Sequence, residues 1–158
     1  MDAEHEAQLE QLTRRVQALE DERAIHNTVT RYGFGVDSDD PEGTANLYAE
    51  DCVIDIDNVS FMHGRDEVRA MVKGDLHQAI LPNCAHLMGP FAIEVDGDRA
   101  VATGYATVYV RADGETRVWR QSFGRWQLER RDGQWQIVRR TSRAVGSVEA
   151  QRLINQGL

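Results

Sequence analysis

Positive charge, cysteine and long apolar runs are all scarce in this chain, and each shortage removes a class of function. Lysine and arginine number 18 against 26 aspartates and glutamates, giving a formal net charge of -8. Nucleic acid and anionic membranes demand a basic footprint, so neither is expected as a partner, and small molecules become the expected ligands. The 2 cysteines, Cys52 and Cys84, stand in no metal-like spacing, and their apolar neighbours suggest buried free thiols in a reducing compartment. No run approaches the roughly 18 apolar residues of a membrane span, and Met1-Asp2-Ala3-Glu4-His5-Glu6 lacks the positive and apolar regions of a signal peptide, so a cytoplasmic location is expected. GxGxxG and P-loop patterns are absent, and no two histidines have the spacing of a helical zinc site. His5, His26, His63 and His77 fall on polar faces or beside turns. Neither cofactor nor metal is expected.

What the chain does contain suits one globular core. Its 158 residues are 41% hydrophobic and 28% charged, long enough to bury about 70% of the unfolded surface without staples. Residues 1–18 read as an N-terminal amphipathic helical extension, 19–146 as the domain and 147–158 as a C-terminal tail. In the extension, Leu9, Leu12, Val16 and Leu19 repeat at heptad-like spacing over only two repeats. A helix folded back on its own domain is expected ahead of a subunit contact.

The segment from Leu19 to Asp37 carries Ile25, Val29, Tyr32 and Val36 at the spacing of one helix face turned to a core. Ser38-Asp39-Asp40-Pro41 breaks it, and Pro41 opens a short second helix through Ala45, Leu47 and Tyr48. Cys52 to Asp57 alternates as a strand, and Gly64-Arg65-Asp66-Glu67 starts a third helix bearing Val68, Met71 and Val72. Beyond residue 83, Asp96-Gly97, Asp113-Gly114 and Asp132-Gly133 separate runs rich in β-branched and aromatic residues, predicting antiparallel strands over 84–95, 99–112, 116–130 and 134–143. Helices followed by a meander define an α+β fold, with helices on one face of a curved sheet and a concave pocket between them.

The residues suited to chemistry cluster in this frame. Tyr32 lies on the buried stripe, Asp37 follows at the helix end, and His86 lies in Cys84-Ala85-His86-Leu87-Met88, a run that can share the same interior. A buried carboxylate beside a buried imidazole is a proton-transfer device. The plainer alternatives are a satisfied core histidine at His86 and an aspartate that caps the turn through Ser38 and Asp39. Arg143 shares strand parity with Trp135 and Ile137, so a regular strand aims it inward as a fixed cation. Asp55 faces opposite to Ile54 and Ile56, with cavity and solvent both open as its surroundings. Met62, Met71, Met88, Leu87 and Phe91 are candidate apolar lining, which favours an apolar ligand bearing one or two oxygens.

The order Ile25…Arg31-Tyr32…Asp37, Leu47-Tyr48-Ala49-Glu50-Asp51, Gly64-Arg65, Val95-Asp96-Gly97-Asp98-Arg99 and Arg131-Asp132-Gly133-Gln134-Trp135 resembles the SnoaL-like branch of the nuclear-transport-factor-2-like superfamily over roughly residues 17–145. The resemblance implies a cone-shaped bent antiparallel sheet wrapped around helices, with a ligand cavity inside. It also implies a cofactor-independent lyase, similar to scytalone dehydratase, bile-acid 7α-dehydratase and hexachlorocyclohexane dehydrochlorinase, in which Asp37 and His86 abstract a proton and Tyr32 binds a substrate oxygen. The implied substrate is a small, mostly apolar cyclic polyketide, steroid or terpenoid. An isomerase or polyketide cyclase using the same base, and a non-catalytic binding module, are the alternatives. The dehydratases carry a second acidic or imidazole group on the strand after the histidine. Here that strand, Thr103-Gly104-Tyr105-Ala106-Thr107-Val108-Tyr109, offers only hydroxyls, and Tyr105 or Tyr109 is the candidate acid unless both are ordinary strand aromatics. A homo-oligomer using the outer sheet face is expected, a trimer by resemblance to the dehydratases.

Overall fold

A single helix, α1 (Ala3–Asp37), spans 35 residues and divides into two halves by burial. The computed structural model describes residues 3–156; Met1, Asp2, Gly157 and Leu158, at the outer ends of the two terminal segments, lie outside them. Every described residue before Asp21 is exposed, whereas Ile25, Val29, Tyr32 and Val36 are buried. The N-terminal extension is therefore continuous with the first domain helix and projects from it. It does not fold back, because nothing between residues 18 and 19 breaks the helix.

Pro41 pre-sets the first turn of α2 (Pro41–Asn46), and the Asp40 side chain accepts from the Gly43 amide at 2.8 Å, a conventional N-cap. The chain then enters β1 (Tyr48–Ile56), turns back as β2 (Ser60–His63), and makes two further helices, α3 (Gly64–Val72) and α4 (Asp75–Gln78). The strands β3 (Cys84–Asp96), β4 (Arg99–Ala112), β5 (Glu115–Arg131) and β6 (Gln134–Ala144) follow within a residue of their expected bounds. Asp113-Gly114 and Asp132-Gly133 both take positive φ at both positions, as a two-residue hairpin loop requires. The 147–158 tail contains a last helix, α5 (Val148–Asn155), capped by Ser147 and burying Ala150 and Leu153.

The six strands form one curved, unclosed sheet in the order β2-β1-β6-β5-β4-β3. Neighbours are antiparallel except β1 and β6, which run parallel. Helix α1 packs its apolar stripe on the concave face, where Tyr48, Trp126, Leu128, Trp135 and Ile137 complete the core. Bulges interrupt the register in β3 between Met88 and Phe91 and in the β5–β6 pair between Gln127 and Leu128. In β6, Gln127 pairs with Arg139 and Leu128 with Ile137, which leaves Val138 as the extra residue. An extra residue reverses the in-out alternation beyond it.

Candidate active site

The C-terminal turn of α1 and the start of β3 meet at very short range, and glycine permits it. A Cβ on Gly33 would stand 2.6 Å from the His86 carbonyl oxygen and 3.1 Å from Met88 Cγ, so only a bare backbone lets strand and helix approach this closely. At that distance Asp37 takes hold of His86 twice. Its Oδ2 accepts the His86 backbone N–H at 2.7 Å and its Oδ1 lies 2.6 Å from His86 Nδ1. Cys84 Sγ donates to the same Oδ1 at 3.3 Å.

Burial raises the Asp37 pKa, but hydrogen bonds from the His86 ring and backbone, the imidazole's charge and the Cys84 thiol together hold it below the ordinary carboxylate value. An ionised Asp37 can only accept, so Nδ1 carries the proton and the lone pair of neutral His86 resides on Nε2. Burial, and then the Asp37 carboxylate, push the Cys84 thiol up to about 11, which keeps it a neutral donor. The ligand atoms of Asp37, Cys84 and His86 lie within 4.8 Å of one another, close enough to share a cation. Each of them is already engaged in the hydrogen bonds just described.

His86 opens on a cavity of about 600 Å3, within the roughly 300–1,000 Å3 of small-molecule sites. Ile56, Met62, Met71, Leu76, Met88 and Val108 supply its apolar lining, and Tyr32 borders it as well. Tyr32 stands edge-on to the His86 ring, with centroids 6.3 Å apart. Of the residues singled out from sequence, Tyr32, His86, Met62, Met71 and Met88 thus line one cavity, with Asp37 bonded behind the imidazole.

Several others are placed elsewhere. The Val138 bulge breaks the parity that linked Arg143 to Ile137, so Arg143 turns away from the cavity. It meets Asp55, with Nη2 to Oδ2 at 2.6 Å and Nη1 to Oδ1 at 2.9 Å, and donates to Asn58 Oδ1 at 2.7 Å. Asp55 faces neither cavity nor solvent: it is buried against Arg143, whose hydrogen bonds hold its carboxyl below the usual range despite burial. Tyr105 is exposed and packs edge-on to Phe123 at 5.2 Å, and neither it nor Tyr109 borders the cavity. Phe91, re-aimed by the β3 bulge, packs on the core and against His26 at 6.0 Å; Leu87 is exposed.

Two cavity residues were not anticipated. Arg140 takes the inward position that Arg143 was expected to hold. It is 7% exposed, and its guanidinium lies 4.4 Å from the ring centroids of both Tyr32 and Trp126. Its Nε and Nη1 have no hydrogen-bond partner, and among the described residues no carboxylate pairs with it. The signal was the paired Arg139-Arg140, but only the bulge decides which of the two points inward. His77, expected beside a turn, is instead 8% exposed and borders the cavity. Its Nε2 is 2.7 Å from the Val36 carbonyl and its ring centroid is 5.8 Å from that of His86. A four-residue helix is too short to show periodicity, so no sequence signal marked it.

The geometry sets a hydrogen-bonded carboxylate and imidazole beside a largely apolar chamber that holds a cation with no carboxylate partner among the described residues, and the sequence relationships agree with the fold. A SnoaL-like domain matches residues 17–141, and the chain belongs to that family. A nuclear-transport-factor-2-like protein with a cystatin-like fold from Novosphingobium aromaticivorans is 32% identical, with TM-score 0.87 over 90% of this chain and 94% of the other. A candidate scytalone dehydratase from the same species is 23% identical, with TM-score 0.67 over 81% and 86%. The hexachlorocyclohexane dehydrochlorinase of Novosphingobium barchaimii is 16% identical, with TM-score 0.71 over 83% and 90%. These last two share the fold. No curated protein matches the chain.

Proposed function

We propose that the protein is a cofactor-independent lyase that removes a proton from carbon beside a carbonyl group of a small, mostly apolar cyclic substrate. The observation that carries this reading is the 2.6 Å contact between Asp37 Oδ1 and His86 Nδ1, which leaves Nε2 free to act on a cavity ligand. Asp37 fixes the tautomer and stabilises the imidazolium that forms. As the C–H bond breaks, negative charge grows on the carbonyl oxygen. Arg140 is a buried cation without a counter-ion, and with Tyr32 it supplies charge and a donor to that oxygen. The candidate scytalone dehydratase and the dehydrochlorinase among its structural relatives are named for elimination reactions, in which a proton is lost from carbon. An isomerase or cyclase would begin with it too.

The test is exchange of the C2 protons of 1-tetralone in deuterium oxide, which reports abstraction whatever follows. The wild type should accelerate exchange, and His86→Ala should abolish the acceleration. A wild type no faster than His86→Ala would remove the base and leave the non-catalytic binding module as the reading.

A further inference from the structure

The sheet wall of the cavity carries a second arginine, Arg120, that the mechanism so far does not use. Arg120 of β5 pairs with Val108 of β4, and Val108 pairs in turn with His86 of β3. All three border the cavity, so their side chains form one row across its floor. Adjacent strands stand about 4.8 Å apart, which sets the Arg120 backbone roughly 10 Å from that of His86 along the row. The next pair, Tyr109 with Val118, leaves Trp119 as an extra residue. A bulge re-aims side chains, and here Trp119 and Arg120, consecutive in the chain, both reach the cavity.

One nitrogen accounts for the structural role of Arg120. Its Nη1 lies 2.8 Å from Asp57 Oδ2, and Asp57 is itself fixed, its Oδ1 accepting the Ala144 amide at 2.7 Å. Burial raises the Asp57 pKa, but Arg120 and the Ala144 amide hold it below the ordinary carboxylate value. The other edge of the guanidinium, Nε with Nη2, bonds no group among the described residues. Nη2 is buried there, and a buried donor without an acceptor is costly. That edge is the flat fork that receives the two oxygens of a carboxylate. The acidic side chains bordering the cavity, Glu67 and Asp75, stand on α3 and α4, whereas Arg120 and Arg140 stand on the sheet. Such a field turns the anionic end of a ligand toward the sheet.

We infer that Arg120 holds a carboxylate of the substrate at the end remote from the carbon that loses its proton, and hence that the substrate is a cyclic keto acid. This rests on the cavity being the substrate site of the proposed function. The ketone oxygen meets Arg140 and Tyr32, the neighbouring C–H bond faces His86, and the ring skeleton crosses Val108 to bring its carboxylate to the Nε–Nη2 edge of Arg120. A row of roughly 10 Å between the backbones at its two ends suits two fused rings bearing one substituent. No bond forms or breaks at the Arg120 end. Its contribution is affinity and direction, since a ligand pinned there can present only one edge to the imidazole.

Calorimetric titration of the full chain with 1-tetralone, 1-tetralone-6-carboxylate and 1-tetralone-7-carboxylate tests this without requiring turnover. The wild type should bind at least one of the two acids roughly tenfold to a hundredfold more tightly than 1-tetralone, the worth of hydrogen bonds to a charged group. Arg120→Met removes the fork and should bring that ratio to within about twofold of one. Because this change also leaves Asp57 without its partner, Arg120→Lys is the second variant: it keeps the charge and a donor for Asp57 but has no planar edge, and it should lose most of the preference. A purely structural arginine would change stability and leave the ratio alone. Two acids bound no more tightly than 1-tetralone by the wild type, or a preference left intact in either folded variant, would overturn the inference. Tight binding of an acid by a wild type that does not accelerate tetralone exchange would instead remove His86 as the base and leave the role of Arg120 standing.

Discussion

Gly33, Asp37 and His86 work as one contact, and single substitutions should expose that dependence. Gly33→Ala would drive a methyl group into the His86 carbonyl, moving β3 off α1 and lengthening both Asp37 bonds. Overpacking of this kind costs about 1–3 kcal/mol, so urea denaturation should show a lower midpoint and tetralone exchange should fall as far as in Asp37→Asn. His86→Ala should lower exchange by roughly a hundredfold to ten-thousandfold. Since Asp37 acts through the imidazole, the double variant should be little worse than His86→Ala alone. Strictly additive losses would show that the two do not act as a unit. Tyr32→Phe, which keeps the ring against Trp126 and loses one hydroxyl, should cost less than either.

At the scale of the element, β6 presents two arginines to opposite faces, and they should behave oppositely. Arg140→Met removes a buried charge that no carboxylate pairs with among the described residues. Exchange should fall by about a hundredfold or more while stability holds or rises. Arg143→Met leaves Asp55 buried and uncompensated, so stability should fall by about 3–5 kcal/mol while the folded protein keeps its exchange rate. A fall in exchange in the folded Arg143→Met variant would contradict the outward placement.

The Asp55–Arg143 pair also sets a pH dependence. The folded-state pKa of Asp55 lies below its ordinary value, chiefly through the Arg143 hydrogen bonds. Its stabilisation is therefore fully present above the unfolded pKa, about 3.9, and is lost as pH falls through the lower folded value. Wild-type denaturation midpoints should drop in that acid window. Asp55→Asn should begin less stable near neutrality and lose less there, and equal slopes for the two proteins would count against the pair.

For the whole molecule, the projecting half of α1 is the exceptional feature. Leu9, Leu12, Val16 and Leu19 are 53–66% exposed, and isolated helices of this length are marginal in water without a partner surface. A second copy of the same seam, with apolar residues flanked by glutamate and arginine, is the self-complementary cover a closed oligomer provides. Self-association is therefore expected, with the trimer implied by resemblance to the dehydratases as the leading state. Sedimentation equilibrium at micromolar concentration should show an assembly, and removal of residues 1–18 should weaken it. A lone monomer in the full chain would eliminate this prediction. Among the described residues, no helix is long and apolar enough to cross a membrane.

The amino-acid sequence by itself determined the elements whose signals are local. The stripe Ile25, Val29, Tyr32 and Val36 needs only helical periodicity, and the four long strands need only alternation bounded by Asp-Gly turns, so the bounds of those strands were legible within a residue. The meeting of Tyr32 and His86 in one cavity, with Asp37 behind, was legible because the helix face and family-like spacing constrain it. Tertiary structure decided the rest. One inserted residue, Val138, reverses a strand's faces without any local signature, and so exchanged Arg140 for Arg143 in the cavity. His77 lies on a helix too short to carry a period, and only the packing of α4 against the end of α1 turns it inward. Periodicity is a property of neighbours along the chain, whereas bulges and short helices take their orientation from strands and carbonyls distant in sequence.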